Sequence, residues 1–386
     1  MTHSTPLPRK LRNLAPHGAV LAGLSLVAQA HAQPAPEAGV QLFGLIDAAA
    51  GRLTSAAGVN AKEQAASKVT SGGLSTSFWG VRGREDLGGG ATALFELSSF
   101  MRNESGAAGR SEALPAPVNV AADPYFSRAS WVGLSHPDWG RVRVGNITSL
   151  LFLNSISSNA LGDSTTFSPL NLLTFIGSPL SGGTAWANSM VYDSPVRAGL
   201  TGSVAYATSQ NQGGPNAAAR LAYSAGALNT SLAWQSVNRN PQTFADGTSA
   251  NDTRAWQWAV SYDFKPLKVF GHLGQIQNRG TASTPQSVHY RVWDVSVSLP
   301  MGSGQWLAAY GVRDTGNTVA PVPATVAGGN VSRKLLTVGY DHHLSRRTEV
   351  YGLLSRDQTE TRTLPAPPTV VSARGTSFAV GIRHRF

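Results

Sequence analysis

SFAVGIRHRF, the stretch at residues 377–386 that ends the chain, alternates apolar side chains with small or basic ones. The apolar face carries Phe378, Val380, Ile382 and Phe386. The other face carries Ser377, Gly381, Arg383 and Arg385. Alternation with a period of two residues is typical of a β-strand whose two faces meet different surroundings. The exception, His384, falls near the strand end, where an imidazole on the apolar side costs little.

The same alternation recurs along the chain after residue 38. In residues 256–264, every second side chain is aromatic or aliphatic. The pattern predicts about sixteen strands. They begin near Val40, Leu74, Ala91, Pro124, Gly140, Ala187, Gly199, Ala217, Ala227, Thr253, Leu267, Val288, Gln305, Arg333, Arg347 and Arg374. Near Val288 the pattern is irregular, because Arg291 shares parity with Trp293, and a bulge or a late start is predicted there.

The connections between these strands alternate between short and long. Short turns are predicted at 86–90, 136–140, 224–227, 265–266, 300–304 and 344–347. Long loops are predicted at 53–73, 102–123, 148–186, 314–332 and 358–373. Short turns at one end and long loops at the other are the layout of bacterial outer-membrane barrels.

The composition agrees with a barrel in a membrane. The 386 residues are 13% charged and include 41 glycines. No run of about 18 apolar residues is present, so no transmembrane helix is predicted. In hydrocarbon every backbone amide needs a partner, so an alternating chain must close on itself. We therefore predict an all-β fold, a 16-stranded antiparallel transmembrane β-barrel around a water-filled channel.

Residues 1–32 have the three parts of a secretory signal peptide. Basic residues within 9–12 are followed by the short apolar core 18–28 and by the cleavage site AHA at 30–32. The barrel domain is predicted to span 33–386. The absence of cysteine is compatible with an oxidising periplasm. We expect passage through the periplasm and insertion into the outer membrane.

Six segments, in order from residue 40 to the C-terminus, carry a family resemblance. They are VQLFGLIDAAAG (40–51), WGVRGREDLGGGATALFEL (79–97), FSRASWVGLSHPDWGRVRVG (126–145), NSMVYDSP (188–195), DHHLSRRTEVY (341–351) and GIRHRF (381–386). Together they resemble Gram-negative trimeric porins of the beta-proteobacterial type. The resemblance implies a homotrimer in which the third loop, here 148–186, folds inward to narrow each pore. It also implies that Phe386 is the signal to the outer-membrane assembly machinery.

Selectivity in such a pore depends on its diameter and on the charged residues of its wall. Arg141 and Arg143 alternate with valines, so both are predicted to face the lumen. The residues predicted to line the pore are Arg82, Arg128, Arg141, Arg143 and Arg383 on the wall and Asp163 on the third loop. Asp163 is the only ionisable residue between 147 and 186. A bank of arginines opposite a single acid favours anions. We therefore predict passive, weakly anion-selective diffusion of small hydrophilic solutes and ions.

The sequence departs from the family at several positions near the pore. Phe78 stands where a basic residue is usual, and Asn146 stands where an arginine often enters the third loop. Ala185 and Val191 replace basic residues around the NSMVYDSP segment. Arg141 and Arg143 stand where threonine is more frequent. The resemblance therefore implies a basic wall whose positions are partly moved.

Two alternative functions stay open at this point. One is a barrel enzyme, a protease or phospholipase, which would need a nucleophile or activated water beside His and Asp or Asn. Hydrolase activity that is lost when His289 is changed would support this alternative. The other is a surface adhesin or receptor acting through its extracellular loops. No cofactor or metal is predicted, although Asp246 and Asp252 could bridge calcium. The net charge of +10 is dispersed, so no nucleic-acid partner is expected, whereas outer-membrane lipid and lipopolysaccharide are expected around the barrel.

Overall fold

The structure is a computed structural model that describes residues 39–55, 64–110, 124–175, 181–209, 214–238, 252–280, 285–319, 330–363 and 369–386. The predicted signal peptide and its cleavage site lie outside the described residues, and so does Asp246. No helix among the described residues is long and apolar enough to cross a bilayer.

The described residues form β-strands and two short helices. The strands are β1 (Gly39–Ser55), β2 (Gln64–Ser71), β3 (Phe78–Gly88), β4 (Ala91–Arg102), β5 (Ala107–Ala108), β6 (Ala129–His136), β7 (Gly140–Thr148), β8 (Ala185–Asp193), β9 (Leu200–Ala207), β10 (Asn216–Ala225), β11 (Leu228–Val237), β12 (Thr253–Asp263), β13 (Lys268–Gly280), β14 (Pro285–Met301), β15 (Gly304–Val319), β16 (Asn330–His343), β17 (Thr348–Thr363) and β18 (Thr369–Arg385). The helices are α1 (Leu150–Ile156) and α2 (Pro169–Thr174), both in the connection between β7 and β8.

Sixteen strand positions close into one antiparallel barrel, which confirms the predicted fold class. β2 and β3 share the second position as two halves of one interrupted strand, and β5 pairs only with the end of β4. The last strand, β18, pairs with β1 from Leu45 opposite Arg385 to Arg52 opposite Phe378. This pairing leaves no open strand edge in the hydrocarbon.

All six predicted short turns lie at one end of the barrel, between consecutive strands. Three of the predicted long loops were too long. The regions 53–73, 314–332 and 358–373 contain the end of β1 with all of β2, the end of β15 with the start of β16, and the end of β17 with the start of β18. Polar side chains occur on both faces at these ends, so the contrast between the two faces weakens although the strands continue.

The second strand position differs from the prediction in one more way. A strand was expected to begin near Leu74, but residues 72–77 are not in a strand and separate β2 from β3. We call residues 72–77 the break segment. All six of its residues are buried, so it lies beneath other parts of the protein and is not a surface loop.

The outer face of the barrel is apolar and rich in exposed aromatic side chains. The aromatic residues predicted to face outward are 36–52% exposed; they are Tyr192, Tyr206, Tyr223, Trp234, Trp256 and Tyr262. The irregularity predicted near Val288 is confirmed by a register shift between Ser287 and Val288 in the pairing of β14 with β15. Beyond the shift, Trp293 is 37% exposed on the outer face, and Arg291, on the same parity, is exposed as well.

The connection between β7 and β8, which we call L3, folds into the barrel. Ser149 caps α1 by accepting a hydrogen bond from the Phe152 amide at 3.3 Å, and Ser168 caps α2 by accepting one from the Asn171 amide at 3.4 Å. A proline follows the second cap at the first helical position, where its missing N–H costs nothing. The apolar faces of both helices are buried against the inner wall. The predicted inward third loop is therefore confirmed.

Asp47 on β1 joins the break segment to the barrel. Its carboxylate is fully buried and accepts hydrogen bonds from the amides of Gly73, Leu74 and Ser75 at 2.8–3.1 Å. It also accepts a hydrogen bond from the Tyr351 hydroxyl at 2.5 Å. Hydrogen bonds to a charged acceptor each contribute about 1.5–3 kcal/mol. One carboxylate therefore satisfies the backbone donors that the interruption of the strand leaves without ladder partners.

L3 is seated on the break segment that Asp47 holds. The Ser164 hydroxyl donates to the Gly73 carbonyl at 2.7 Å, and the Thr166 hydroxyl donates to the Gly72 carbonyl at 2.8 Å. Leu161 and Phe167 pack into one apolar cluster with Leu74 and residues of β1, β15, β17 and β18. The position of L3 thus depends on the conformation of the break segment.

Removing Phe386 should impair assembly more than conductance. The Phe386 and Gly44 backbones exchange two hydrogen bonds of 3.1 Å, and a Cβ on Gly44 would lie 2.4 Å from the Phe386 ring. We expect deletion of Phe386, or Gly44→Val, to reduce the yield of folded barrel several-fold in membrane fractions, while channels that do form keep their conductance. Phe378→Ala, on the same face of β18, is the matched control. Normal yield without Phe386 would contradict the role assigned to it.

Candidate pore constriction

Basic side chains line the side of the lumen that L3 does not cover. The helices of L3 contact β9–β12 and β14–β16. Four of the predicted pore arginines lie across the lumen, on the inward faces of β3 and β7 and just before β6; they are Arg82, Arg128, Arg141 and Arg143. We call these four residues the arginine wall. The arginine wall and L3 therefore face each other across the lumen.

Arg82 is oriented by neutral and aromatic groups of β1. Its Nε and Nη2 atoms donate to the Gln41 side-chain oxygen at 3.2 and 3.1 Å. The guanidinium carbon lies 4.7 Å from the centroid of the Phe43 ring, within the range of a cation–π contact. These contacts hold the guanidinium group against the wall.

Arg128 contacts Phe78, one of the residues that depart from the family pattern. Its guanidinium carbon lies 4.0 Å from the centroid of the Phe78 ring. One amino group donates to Glu96 at 2.6 Å and to Ser98 at 3.2 Å. Phe78 therefore takes the place of a basic residue of the family pattern, and its ring forms a cation–π contact with Arg128.

Arg141 and Arg143 share one carboxylate on the neighbouring strand. Both donate to the same oxygen of Asp193 at 2.9 Å, and Ser203 donates to the other oxygen at 2.8 Å. The Arg143 side chain is 12% exposed, whereas that of Arg141 is 39% exposed. Because two cations share one anion, this part of the wall keeps an excess of positive charge.

Arg383 lies on the inner face of β18, but its charge is enclosed. It forms ion pairs with Glu349 and Asp341 and donates to the Ser75 hydroxyl of the break segment at 2.8 Å. Only 7% of the residue is exposed. The structure therefore places Arg383 in the support of the break segment, apart from the arginine wall.

One group of side chains near Arg383 has the spacing of metal ligands. Ligand atoms of Asp341, His343 and Glu349 lie within 4.8 Å of one another. Both carboxylate oxygens of Glu349 are already engaged, one by Arg383 and the other by Arg385. With two guanidinium groups in place, the local charge is balanced, and the arrangement is that of an ion-pair network.

Asp163 occupies the turn between α1 and α2. It is half-buried and, among the described residues, forms no ion pair. Asn146 does not enter L3; its side chain donates to the Phe126 carbonyl at 3.4 Å. L3 is joined to the opposite wall by Asn154, which accepts from Arg220 at 3.1 Å and donates to Gln257 at 2.9 Å.

Sequence reasoning missed the two carboxylates that face the arginine wall, Glu96 and Asp193. Glu96 alternates with Phe95 and Leu97, so the period-two pattern could have placed it in the lumen. Asp193 is the last residue of its strand, where the pattern ends. Among the described residues, Glu96 pairs with Arg128 and Asp193 pairs with both Arg141 and Arg143, so the wall is less positive than the arginines alone indicated.

Comparison with known proteins agrees with this architecture. A family model described as Gram-negative porin matches residues 18–362. An outer membrane porin protein of Bordetella pertussis is 25% identical over 417 residues, covering 95% of this chain and 98% of that protein. Outer membrane porin protein 32 of Delftia acidovorans is 28% identical over 375 residues, covering 91% of this chain and 95% of that protein.

A solved structure shares the fold. The structure titled as an anion-selective porin from Comamonas acidovorans superposes with a TM-score of 0.69 at 24% identity, covering 91% of this chain and 100% of that chain. The structure is a closed barrel with an inward loop, and the family model spans most of the sequence. The chain belongs to the Gram-negative porin family and is an outer-membrane porin for passive diffusion of small hydrophilic solutes.

Proposed function

We propose that this porin is weakly anion-selective and that the arginine wall is the cause. The observation that carries the proposal is the shared use of Asp193 by Arg141 and Arg143, which leaves one cation of that pair without a carboxylate of its own. A low-dielectric wall focuses the field of such charges into the aqueous path. L3 contributes one acid, Asp163, so it only partly offsets the field.

The passage of an anion then needs no binding step of high affinity. Arg141 is the most exposed member of the Asp193 pair, and it can exchange its contact with the carboxylate for one with a passing anion. Glu96 and Asp193 limit how long an anion stays, because they compete for the same guanidinium groups. Conduction requires this balance between attraction and release.

We also propose the partners that are expected for a member of this family. A homotrimer, recognition of Phe386 by the assembly machinery, and contact with lipid and lipopolysaccharide follow from the family and from the membrane in which it resides. We also propose that the chain is not an enzyme. His289, the residue singled out for a hydrolase, contacts the Gln275 side chain at 3.5 Å, and the family to which the chain belongs consists of channels.

Planar-bilayer recording in a KCl gradient tests the selectivity. We expect discrete conductance steps and a reversal potential whose sign shows that chloride is more permeant than potassium. Arg141→Gln with Arg143→Gln should lower the chloride-to-potassium permeability ratio, because Asp193 then faces the lumen without its partners. Arg254→Gln with Arg279→Gln, at the outer rims of β12 and β13, is the charge-matched control. A wild-type reversal potential of the potassium sign would overturn the proposal.

Changes to the Glu96–Arg128 pair should shift selectivity in opposite directions. Glu96→Gln removes an anion 2.6 Å from Arg128 and should raise the chloride-to-potassium ratio by roughly twofold, whereas Arg128→Gln should lower it by a similar factor. Asp314→Asn, an exposed carboxylate on β15, should leave the ratio unchanged. The same shift from both changes would mean that pore size, not charge, was altered.

A further inference from the structure

Two phenylalanine rings lie side by side on the inner face of the barrel, where the wall of a water-filled channel is usually polar. Phe78 is the first residue of β3 and lies directly opposite Phe100 on β4. Phe78 shares the inward parity of Arg82, and Phe100 shares that of Glu96. Both phenylalanines are half-buried. We call Phe78 and Phe100 the aromatic pair, and part of its apolar surface is exposed to the water of the lumen.

The aromatic pair lies beside the attachment of L3. Phe78 directly follows the break segment, whose Gly72 and Gly73 carbonyls accept hydrogen bonds from L3. Phe43, which is 8% exposed, packs against the Phe78 ring with the centroids 5.8 Å apart and the planes at 65°. This is the edge-to-face arrangement that aromatic rings prefer. The Phe78 ring is therefore held in a fixed orientation close to L3.

A guanidinium group with open hydrogen-bond donors lies over the aromatic pair. The guanidinium carbon of Arg128 lies 4.0 Å from the centroid of the Phe78 ring. Its Nη1 atom donates to Glu96 at 2.6 Å and to Ser98 at 3.2 Å. Its Nε and Nη2 atoms donate no hydrogen bond to any described residue, and the side chain is 30% exposed. These two atoms share one edge of the guanidinium, so Arg128 offers a solute a pair of parallel donors.

The same edge is engaged in the other members of the arginine wall. Nε and Nη2 of Arg82 both donate to a side-chain oxygen of β1. Nε and Nη2 of Arg141 both donate to a carboxylate of β8, and Nη2 of Arg143 donates to the same carboxylate. Within the part of the chain that the structure describes, Arg128 is therefore the member of the arginine wall with both donors of this edge open.

A second guanidinium group lies over the other ring of the pair. The guanidinium carbon of Arg110 lies 5.7 Å from the centroid of the Phe100 ring. Its Nη1 atom donates to the Thr184 hydroxyl at 3.3 Å. Each ring of the aromatic pair therefore has a cation beside it, and both cations attract an anion that approaches the rings.

The carboxylate next to Arg128 restricts the charge of the anion. Glu96 is paired with Arg128 at 2.6 Å, and it lies directly opposite Arg82 in the pairing of β3 with β4. An anion bound to Arg128 is repelled by Glu96 in proportion to its own charge. The arrangement therefore favours a monovalent anion over a divalent one.

The groups around the aromatic pair match the two parts of an aromatic carboxylate. The forked donor edge of Arg128 fits the two oxygens of a carboxylate. Phenylalanine rings contact another aromatic ring edge-to-face or with an offset, and a guanidinium group stacks on ring faces. Side chains that lie directly opposite each other start about 5 Å apart, so one ring of a solute can contact both phenylalanines. A chloride ion can use the donors but not the rings.

We propose that Arg128 and the aromatic pair form a binding site for aromatic monocarboxylates of the size of benzoate. The carboxylate accepts hydrogen bonds from Nε and Nη2 of Arg128, and the ring contacts Phe78 and Phe100. Binding is weak because Glu96 competes for Arg128, so the solute is released and passes through the pore. This inference rests on the proposed anion selectivity and adds a class of organic solute to it.

Block of the chloride current through single channels tests the proposal. Potassium benzoate is added to channels in KCl, and its half-blocking concentration is compared with that of potassium cyclohexanecarboxylate. The second acid has the same charge and a ring of similar size, but it has no π electrons. We expect benzoate to block at a concentration lower by about threefold or more. Equal half-blocking concentrations for the two acids would overturn the site.

Removal of the rings tests the role of the aromatic pair. Phe78→Leu with Phe100→Leu keeps apolar side chains at both positions and should raise the half-blocking concentration of benzoate to that of cyclohexanecarboxylate. Trp293→Leu with Tyr310→Leu removes an edge-to-face ring pair from the outer face and is the matched control, with both values unchanged. An equal loss of block by the two acids would mean that the rings only orient Arg128, and the proposal would fail.

Two further variants complete the test. Arg128→Lys keeps the charge but loses the forked donors, so it should weaken block by both acids by about threefold to tenfold. Unchanged block in this variant would contradict the contact assigned to Arg128. Phe100→Leu alone leaves the contact between Phe43 and Phe78 in place, and it provides the same comparison of the two acids if the double variant forms no channels.

The reversal potential of the same channels in a KCl gradient separates this inference from the proposed ion selectivity. A preference for chloride together with equal block by the two acids would leave the ion selectivity intact and refute the binding site. A preference for potassium together with stronger block by benzoate would refute the ion selectivity and support the binding site.

Discussion

A single buried carboxylate determines how the lumen of this barrel is shaped. Asp47 accepts hydrogen bonds from three consecutive amides of the break segment and from Tyr351. A strand of a closed barrel can leave the ladder only if its backbone groups find other partners, since unpaired amides in a membrane-embedded wall are costly. Asp47 supplies those partners, and its own backbone is joined to Ser77 and Asn103. Without Asp47, the amides of residues 73–75 would lose the acceptor that stabilises the interruption of the second strand.

The interruption has a consequence for the pore, because the break segment is one of the surfaces to which L3 is fastened. Ser164 and Thr166 bond to its carbonyls, while Asn154 and Gln257 fasten α1 to the opposite wall. Held at both places, L3 covers the inner faces of β9–β12 and β14–β16 and leaves the arginine wall facing the aqueous path. We therefore propose that the selectivity of the pore depends in part on the residues that hold L3 in place.

The alternation of side chains was sufficient to predict the barrel, its short turns and its closure, because these follow from period-two contrast between lipid and water. It was also sufficient to place Arg82, Arg141 and Arg143 on the inner face. It could not identify the break segment, since SGGLSTS has the composition of an ordinary loop and the partner that stabilises it, Asp47, is more than twenty residues away. Nor could it show that Arg383 is neutralised by Glu349 and Asp341, because pairing across strands depends on register, which parity alone does not specify.

Single-channel recording of Asp47→Asn tests the dependence of the pore on this carboxylate most directly. The amide keeps the shape of the side chain but loses the charge, and it must turn one N–H₂ group toward backbone donors. We expect a folded barrel whose L3 is less firmly held, with larger and noisier conductance steps and a reduced preference for chloride. Asp314→Asn, outside the lumen, should behave as wild type. Unchanged step size, noise and reversal potential in a folded Asp47→Asn barrel would contradict the account.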